Sequence, residues 1–224
     1  MTQVNTTPTL MVRHATRADL PFVAWCNYEA SSPYPGFCYW DPLLEGTGTA
    51  TMAFIEAVFQ ADALAWGRVE DFVLIEQDGK PIAGASGFSM SSVDYRPLLL
   101  SRLPDVARQL GWNSETLAQF QQMYENVWAD PLDSTLAPAA PWIIECVAVL
   151  PEMRGKGVAR RLMQALIEEG RARGHSHAGI SVTTGNDAAQ RVYEAVGFQM
   201  YIAYGTEYFD GQFPGTTKYR LGLS

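Results

Sequence analysis

The stretch WIIECVAVLPEMRGKGVARRLMQALIEEGRA, residues Trp142 to Ala172, decides the fold. The apolar run from Trp142 to Val149 has the length and character of a buried strand. Pro151 ends it, because proline has no N–H to give a sheet ladder. The tight loop Arg154-Gly155-Lys156-Gly157 follows. Val158, Ala159, Leu162, Met163, Leu166 and Ile167 then recur at helical spacing, with Arg160, Arg161, Gln164 and Glu168 on the opposite side. Strand, glycine loop and helix N-terminus together make an anion site. The first backbone N–H groups of the helix lack partners, the helix dipole favours negative charge there, and glycines let the backbone come close.

The anion can be narrowed by exclusion. A Walker A loop needs four residues between its first glycine and Gly-Lys-Ser/Thr, and this loop is too short. A dinucleotide fingerprint needs a third glycine where Arg160 stands. The pattern that fits is Arg-x-x-Gly-x-Ala, as Arg154, Gly157 and Ala159. Placed after a strand and a proline, it resembles the acyl-CoA pyrophosphate loop of the GNAT superfamily of N-acetyltransferases. On its own the loop also reads as a basic turn capping an ordinary helix.

A second segment strengthens the resemblance. A short apolar stretch, Ala178 to Val182, precedes the run Asn186 to Phe198. Asn186 or Asp187 suits an N-cap, Ala189, Val192, Tyr193 and Val196 repeat at threes and fours, and Gly197 is a C-terminal stop. The superfamily is similar here: an Asn, a short helix, and a Tyr shortly before a Gly-Phe pair. The resemblance implies an α/β (α+β) acyltransferase fold, a twisted mixed, mostly antiparallel sheet flanked by helices. It says nothing of the acceptor.

The rest of the chain agrees with one such domain over residues 1–224. Leu10 to His14 reads as a first strand behind a frayed tail at 1–8, and Thr16 to Pro21 opens a helix. Residues 31–46 are loop-like and rich in aromatics, and a helix is expected from about Thr49 to Ala65. Asp71 to Glu76 and Pro81 to Met90 read as strands around a Gln77-Asp78-Gly79-Lys80 hairpin turn. Two closing strands are expected at about 198–209 and 216–222. The departure is the long connection at 91–141, where the superfamily is usually short. Leu117, Phe120, Tyr124, Val127 and Trp128 sit at helical spacing within it, so a helical insert is expected. It reads as a packed ornament, an acceptor-site lid or a homodimer surface.

A chain of 224 residues, 47% of them hydrophobic, can bury a sizeable core. Its net charge of −8 argues against nonspecific nucleic-acid binding and is compatible with a cationic acceptor. Cys26, Cys38 and Cys146 make neither a metal-ligand spacing nor an even set for disulfides, which favours a reduced cytoplasmic chain. The start of the chain lacks the plan of a signal peptide, and no apolar run reaches the ~20 residues of a membrane span. No metal is expected; His175 and His177 flank a turn without a third ligand nearby.

Acetyl transfer from a thioester to an amine needs a neutral amine held near the carbonyl, a donor for the oxyanion, and a proton for the thiolate unless it leaves as the anion. The resemblance supplies candidates, with acetyl-CoA as cosubstrate. The backbone of Val147, Ala148 and Val149 would pair with the pantetheine arm, and Val147 or Val149 N–H would face the thioester oxygen. Arg154, Gly155, Lys156, Gly157, Val158 and Ala159 would line the pyrophosphate, with Arg160 adding charge. Asn186 would bond the pantetheine, and Tyr193 matches the family's general acid, although its place on an apolar stripe also suits core packing. Glu145 is a carboxylate in an otherwise apolar strand, costly unless it faces a polar cleft, and is the candidate base. Asp94 and Glu29 are the other candidates. By strand alternation, Cys146 points away from Glu145 and packs. Tyr28, Tyr34, Phe37, Tyr39 and Trp40 border the acceptor pocket or form a hydrophobic clasp. The function expected is N-acetylation of an amine-bearing acceptor, a small molecule or peptide terminus. The alternative is a regulatory module that binds acyl-CoA without transfer; it would need neither Tyr193 nor Glu145 in one cleft.

Overall fold

The computed structural model describes residues 10–90 and 93–224. The tail expected at 1–8 lies outside the described residues. Seven strands, β1 (Leu10–His14), β2 (Phe72–Gln77), β3 (Lys80–Phe88), β4 (Trp142–Val149), β5 (His177–Thr183), β6 (Gln199–Tyr204) and β7 (Thr216–Gly222), form one sheet in the order β1-β2-β3-β4-β5-β7-β6. Every neighbouring pair is antiparallel except β4 and β5. A parallel pair needs a crossover, which the helix predicted after the glycine loop supplies.

Helices α1 (Leu20–Ala30), α2 (Asp41–Leu44), α3 (Thr51–Gln60), α4 (Leu103–Leu110) and α5 (Ser114–Val127) precede β4, while α6 (Val158–Ala172) and α7 (Asp187–Ala195) follow it. The core is accordingly double. Phe54, Phe59, Phe72, Phe120 and Tyr124 centre the layer built with α1 to α5. On the other face, Leu162, Met163, Leu166 and Ile167 of α6 bury the predicted stripe against Trp142, Ile144 and Ile180. Each such side chain contributes about 1.5–3 kcal/mol by leaving water. Trp142 needs room: a Cβ at Gly87 or Gly170 would come within 2.5 or 2.6 Å of its ring. Its indole N–H donates to the Leu166 carbonyl at 2.9 Å, so β4 is fixed to α6 by packing and by a hydrogen bond.

The hairpin turn forms as its composition predicts, with Asp78 and Gly79 both at positive φ (53° and 75°), the geometry of a type I′ turn. Two boundaries differ from the expectation. The helix from about Thr49 to Ala65 stops at Gln60, because Asp62 turns left-handed (φ 49°) and Ala63 N–H returns to the Val58 carbonyl. Ala63 and Leu64 are still buried, so their apolar character marks core and not helix. The strand expected to run to 209 ends at Tyr204, and Thr206–Phe209 tighten into a 3-10 turn before left-handed Asp210. The long connection carries two helices, α4 and α5. Asn113 caps the second by accepting from Thr116 N–H at 2.8 Å.

Candidate active site

The sheet opens at its centre. β4 and β5 pair at Trp142↔Ala178, Ile143↔Gly179 and Ile144↔Ile180, and the ladder stops there although both strands continue. Beyond Ile144, the β5-facing edge of Glu145 to Val149 therefore has no strand partner among the described residues. On the β3 side, Gly84 opposes Ala148 while Ser86 opposes Glu145, so Cys146 and Val147 together face Ala85. This is a β-bulge, with Cys146 left-handed at φ 58°. The bulge overturns the alternation expected at Cys146. The thiol packs in the α1-side core and accepts from Asn27 Nδ2 at 3.4 Å. Glu145 lines a cavity also walled by Ser31, Tyr39 and Trp40, which follow α1 in the chain, so both residues lie on the α1 side. Burial pushes the Cys146 thiol up to about 12, which leaves it un-ionised near neutrality.

Glu145 sits on the wall of a cavity of about 560 Å³. Desolvation raises its carboxyl from the ordinary range to about 7, and the Lys218 ammonium partly opposes the rise. Lys218, on β7, is itself buried, and desolvation brings it down to about 8. Tyr193, on α7, is not among the residues that line the cavity, but it lies near enough to Glu145 to feel its charge. It packs edge-on against Tyr219 at 6.0 Å, and its hydroxyl makes no hydrogen bond among the described residues. Desolvation holds the phenol well above its ordinary value, and the nearby Glu145 carboxylate adds to the effect. Tyr193 and Glu145 thus share one electrostatic environment, although they come from opposite faces of the sheet.

The predicted glycine loop lies at the foot of the split. Gly155 and Gly157 are left-handed (φ 73° and 78°), and no protein atom would approach a Cβ at either. Gly157 is the N-cap of α6 and makes no side-chain cap; its carbonyl takes the first helical bond from Arg161 N–H at 3.1 Å. The N–H groups of Val158, Ala159 and Arg160 precede that bond and belong to the unpaired first turn. Arg154 donates from Nε to the Val149 carbonyl at 3.0 Å and from Nη2 to Glu29 at 2.8 Å, clasping the end of β4 to α1. Lys156 and Arg160 are exposed. Asn186 caps α7, its Oδ1 accepting from Ala189 N–H at 3.2 Å.

The other candidates lie elsewhere. Glu29 is paired with Arg154 and Asp94 with Arg96 at 2.7 Å; neither lines the cavity. His175 stacks on Trp142 and meets Ser89, while His177 meets Ser176. No group of three metal-ligating side chains occurs among the described residues, and no described helix is long and apolar enough to cross a membrane. Of the aromatic loop, Phe37, Tyr39 and Trp40 line the cavity, Tyr34 stacks on Phe37, and Tyr28 packs against the α1-side core. Sequence reasoning missed Lys218 and the cavity walls Trp66, Phe209 and Phe213, while Trp128, named in the insert, also lines the cavity. One signal for Lys218 was a lysine inside the closing strand TTKYRLG.

A mixed sheet split between its parallel strands, with a glycine loop and an uncapped helix N-terminus at the foot of the split, defines the GNAT acyltransferase fold. The sequence model of the Acetyltransferase (GNAT) family matches residues 39–198, and the chain belongs to that family. It is an N-acetyltransferase. Among solved structures, a putative acetyltransferase, yncA from Salmonella typhimurium with its cofactor acetyl-CoA, is similar at 18% identity, covering 96% of this chain and 94% of that one, TM-score 0.51. An N-acetyltransferase from Staphylococcus aureus Mu50 shares 17% identity over 94% of this chain and 100% of that one, TM-score 0.59. The ribosomal-protein-S18-alanine N-acetyltransferase from Escherichia coli shares 16% over 96% and 95%, TM-score 0.52. At these identities the likeness is one of fold. No curated protein sequence matches.

Proposed function

We propose that the chain is a single acetyltransferase domain, with 91–141 as its insert, and that it transfers acetyl directly to an amine held in the cavity beside Glu145. The observation that carries this is a carboxylate, Glu145, on the cavity wall at the β4–β5 split, with the Tyr193 phenol near enough to feel its charge. A module that only bound acyl-CoA would need neither.

The residues present suit acetyl-CoA, which supplies the activated acetyl group when bound. The free edge of Val147, Ala148 and Val149 offers ladder positions to an amide-bearing arm. Left-handed Gly155 and Gly157 clear space before the unpaired amides of Val158, Ala159 and Arg160, a cradle for a diphosphate to which Arg154, Lys156 and Arg160 add positive charge. Asn186 keeps its amide N–H groups for a carbonyl on the arm, since only its Oδ1 is used in the cap.

Glu145, ionised above about pH 7, takes a proton from the incoming ammonium or its transfer intermediate. Tyr193, held protonated by its surroundings, gives a proton to the departing sulfur. A backbone N–H of Val147 or Val149 on the free edge steadies the oxyanion. The end of the long connection walls the cavity through Asp133 to Ala139, which favours an acceptor-site role for the insert over a dimer surface. The test is thiol release from acetyl-CoA across a panel of amines, with acetyl-CoA binding followed by calorimetry. Binding without release in the presence of any amine would refute direct transfer.

A further inference from the structure

Eight aromatic residues stand on the lining of the cavity beside Glu145, and the polar atoms of Tyr39, Trp40 and Trp66 are already used. The Trp40 indole N–H donates to Asn27 Oδ1 at 3.0 Å and to Ser31 Oγ at 3.1 Å. The Trp66 indole N–H donates to the Tyr95 carbonyl at 3.0 Å, and the Tyr39 hydroxyl meets Thr183 Oγ1 at 3.0 Å. What these three side chains offer a ligand is ring carbon. Three carboxylates lie on the lining, Asp133, Glu145 and Asp210, and no Lys, Arg or His does among the described residues. Asp133 accepts from Thr135 N–H at 2.7 Å and from the Tyr208 hydroxyl at 3.1 Å, and Asp210 is exposed at the rim. Glu145 accepts no side-chain hydrogen bond from the described residues, while Asp133 is bonded through Oδ1 alone and, like Asp210, keeps its charge.

The aromatic walls also join across the cavity. Tyr39, from the loop after α1, touches Phe213, from the β6–β7 connection, at 5.7 Å between ring centres, and Phe213 stands edge-on to Phe209 at 5.0 Å. A trench for an extended peptide needs these two loops apart, and here they are in contact.

Resting on the direct-transfer reading, we infer that the acceptor is a compact primary amine with an apolar, preferably aromatic, body. Its ammonium group is placed by Glu145 and its body by the rings, through dispersion and cation–π attraction. A cavity of about 560 Å³ suits a small molecule. The same walls disfavour a free amino acid. It would find no cation for its carboxylate, since the Lys218 ammonium is held by the carbonyls of Ser134 and Ala137.

The test uses the purified chain, acetyl-CoA and five acceptors: 2-phenylethylamine, tryptamine, spermidine, L-lysine and an alanine-initiated peptide. The expected result is a kcat/KM for the two arylalkylamines on the order of 10-fold or more above the other three. Phe213→Ala should raise the KM for 2-phenylethylamine by a similar factor while the acetyl-CoA KM holds, and Phe213→Leu should restore part of the loss. Preference for spermidine, lysine or the peptide, or no preference, overturns the inference and leaves direct transfer standing. Acetyl-CoA binding with none of the five acetylated overturns both.

Discussion

Lys218 Nζ donates to the Ser134 carbonyl at 2.7 Å and so ties the last strand to the end of the long connection between β3 and β4. The same ammonium reaches the Ala137 carbonyl, and Arg220 Nε donates to the Ala139 carbonyl at 2.7 Å. One face of β7 thus holds the segment that walls the cavity. Lys218 also sits close enough to Glu145 for each charge to shift the other's titration. One buried side chain joins cavity shape to the ionisation of the proposed base.

Lys218→Met keeps length and apolar bulk and removes the charge and the donors. Relief of the buried charge offsets part of the loss, but two carbonyls are left short of a partner, each costing about 1–3 kcal/mol if it finds no water. Tm should fall by a few degrees, at roughly 2–4 °C per kcal/mol for a chain of this size. Without the ammonium, the Glu145 carboxyl moves above its present value of about 7, so the acidic limb of kcat/KM moves to higher pH. The acceptor KM should rise while acetyl-CoA affinity is kept. Thermal unfolding with a pH–rate profile checks both; an unmoved limb would separate Lys218 from the base.

Gly157 separates backbone strain from charge. An added Cβ meets no protein atom there, so Gly157→Ala carries only the strain of a left-handed residue, about 1–2 kcal/mol. Gly157→Glu adds a negative charge beside the proposed diphosphate cradle. Calorimetry with CoA should show affinity lower by about tenfold or more for Gly157→Glu than for Gly157→Ala, each 1.4 kcal/mol of repulsion being a factor of ten. Equal affinities would place the diphosphate elsewhere.

Local signals were legible in the sequence because they are local physics. The stripe on α6, the glycine loop before it, the Asn186 cap and the Asp78-Gly79 turn each depend on a few adjacent residues. The bulge at Cys146 does not. It is a register difference between β3 and β4, chain segments some sixty residues apart, so strand alternation alone put the thiol on the wrong face. Lys218 was hidden for a similar reason, since its partners are backbone carbonyls of a distant loop that no side-chain pattern announces. The Tyr39–Phe213 contact likewise joins loops far apart in sequence, so the aromatics could be seen only as pocket or clasp. Phe37, Tyr39 and Trp40 line the cavity, and Tyr39 also bridges it to Phe213.

Glu145→Gln should trade stability against activity. In the folded chain the Glu145 carboxyl holds its proton to about pH 7, against an ordinary 4.5. Between those values the folded state binds the proton more tightly than the unfolded chain does, so this group's contribution to stability declines as pH rises through the window. The neutral amide escapes that decline. Glu145→Gln should therefore match the wild type in Tm near pH 4.5 and exceed it at pH 8, while kcat/KM falls and its acidic limb near pH 7 disappears. Part of the rate should return at high pH, where free amine is plentiful. Thermal scans at the two pH values with a rate profile decide it; a wild-type profile in Glu145→Gln would remove the residue from proton transfer.

Tyr193→Phe removes a hydroxyl that makes no hydrogen bond among the described residues and keeps the ring against Tyr219 and Phe198. Stability and CoA affinity should hardly change. If the hydroxyl protonates the departing sulfur, kcat should fall by about 10²–10⁴, the usual contribution of a general acid, and by less if the thiolate can leave as the anion. Tyr219 is the matched control. It packs against the same ring, but its hydroxyl is bonded to Glu194 at 3.3 Å, so Tyr219→Phe removes a comparable group from a different partner. Its kcat should stay within a few-fold of the wild type. Steady-state kinetics on both variants, at saturating acetyl-CoA and with folding verified by circular dichroism, make the comparison. Equal kcat values for the two would mean that Tyr193 supports the core and that the sulfur leaves without its proton.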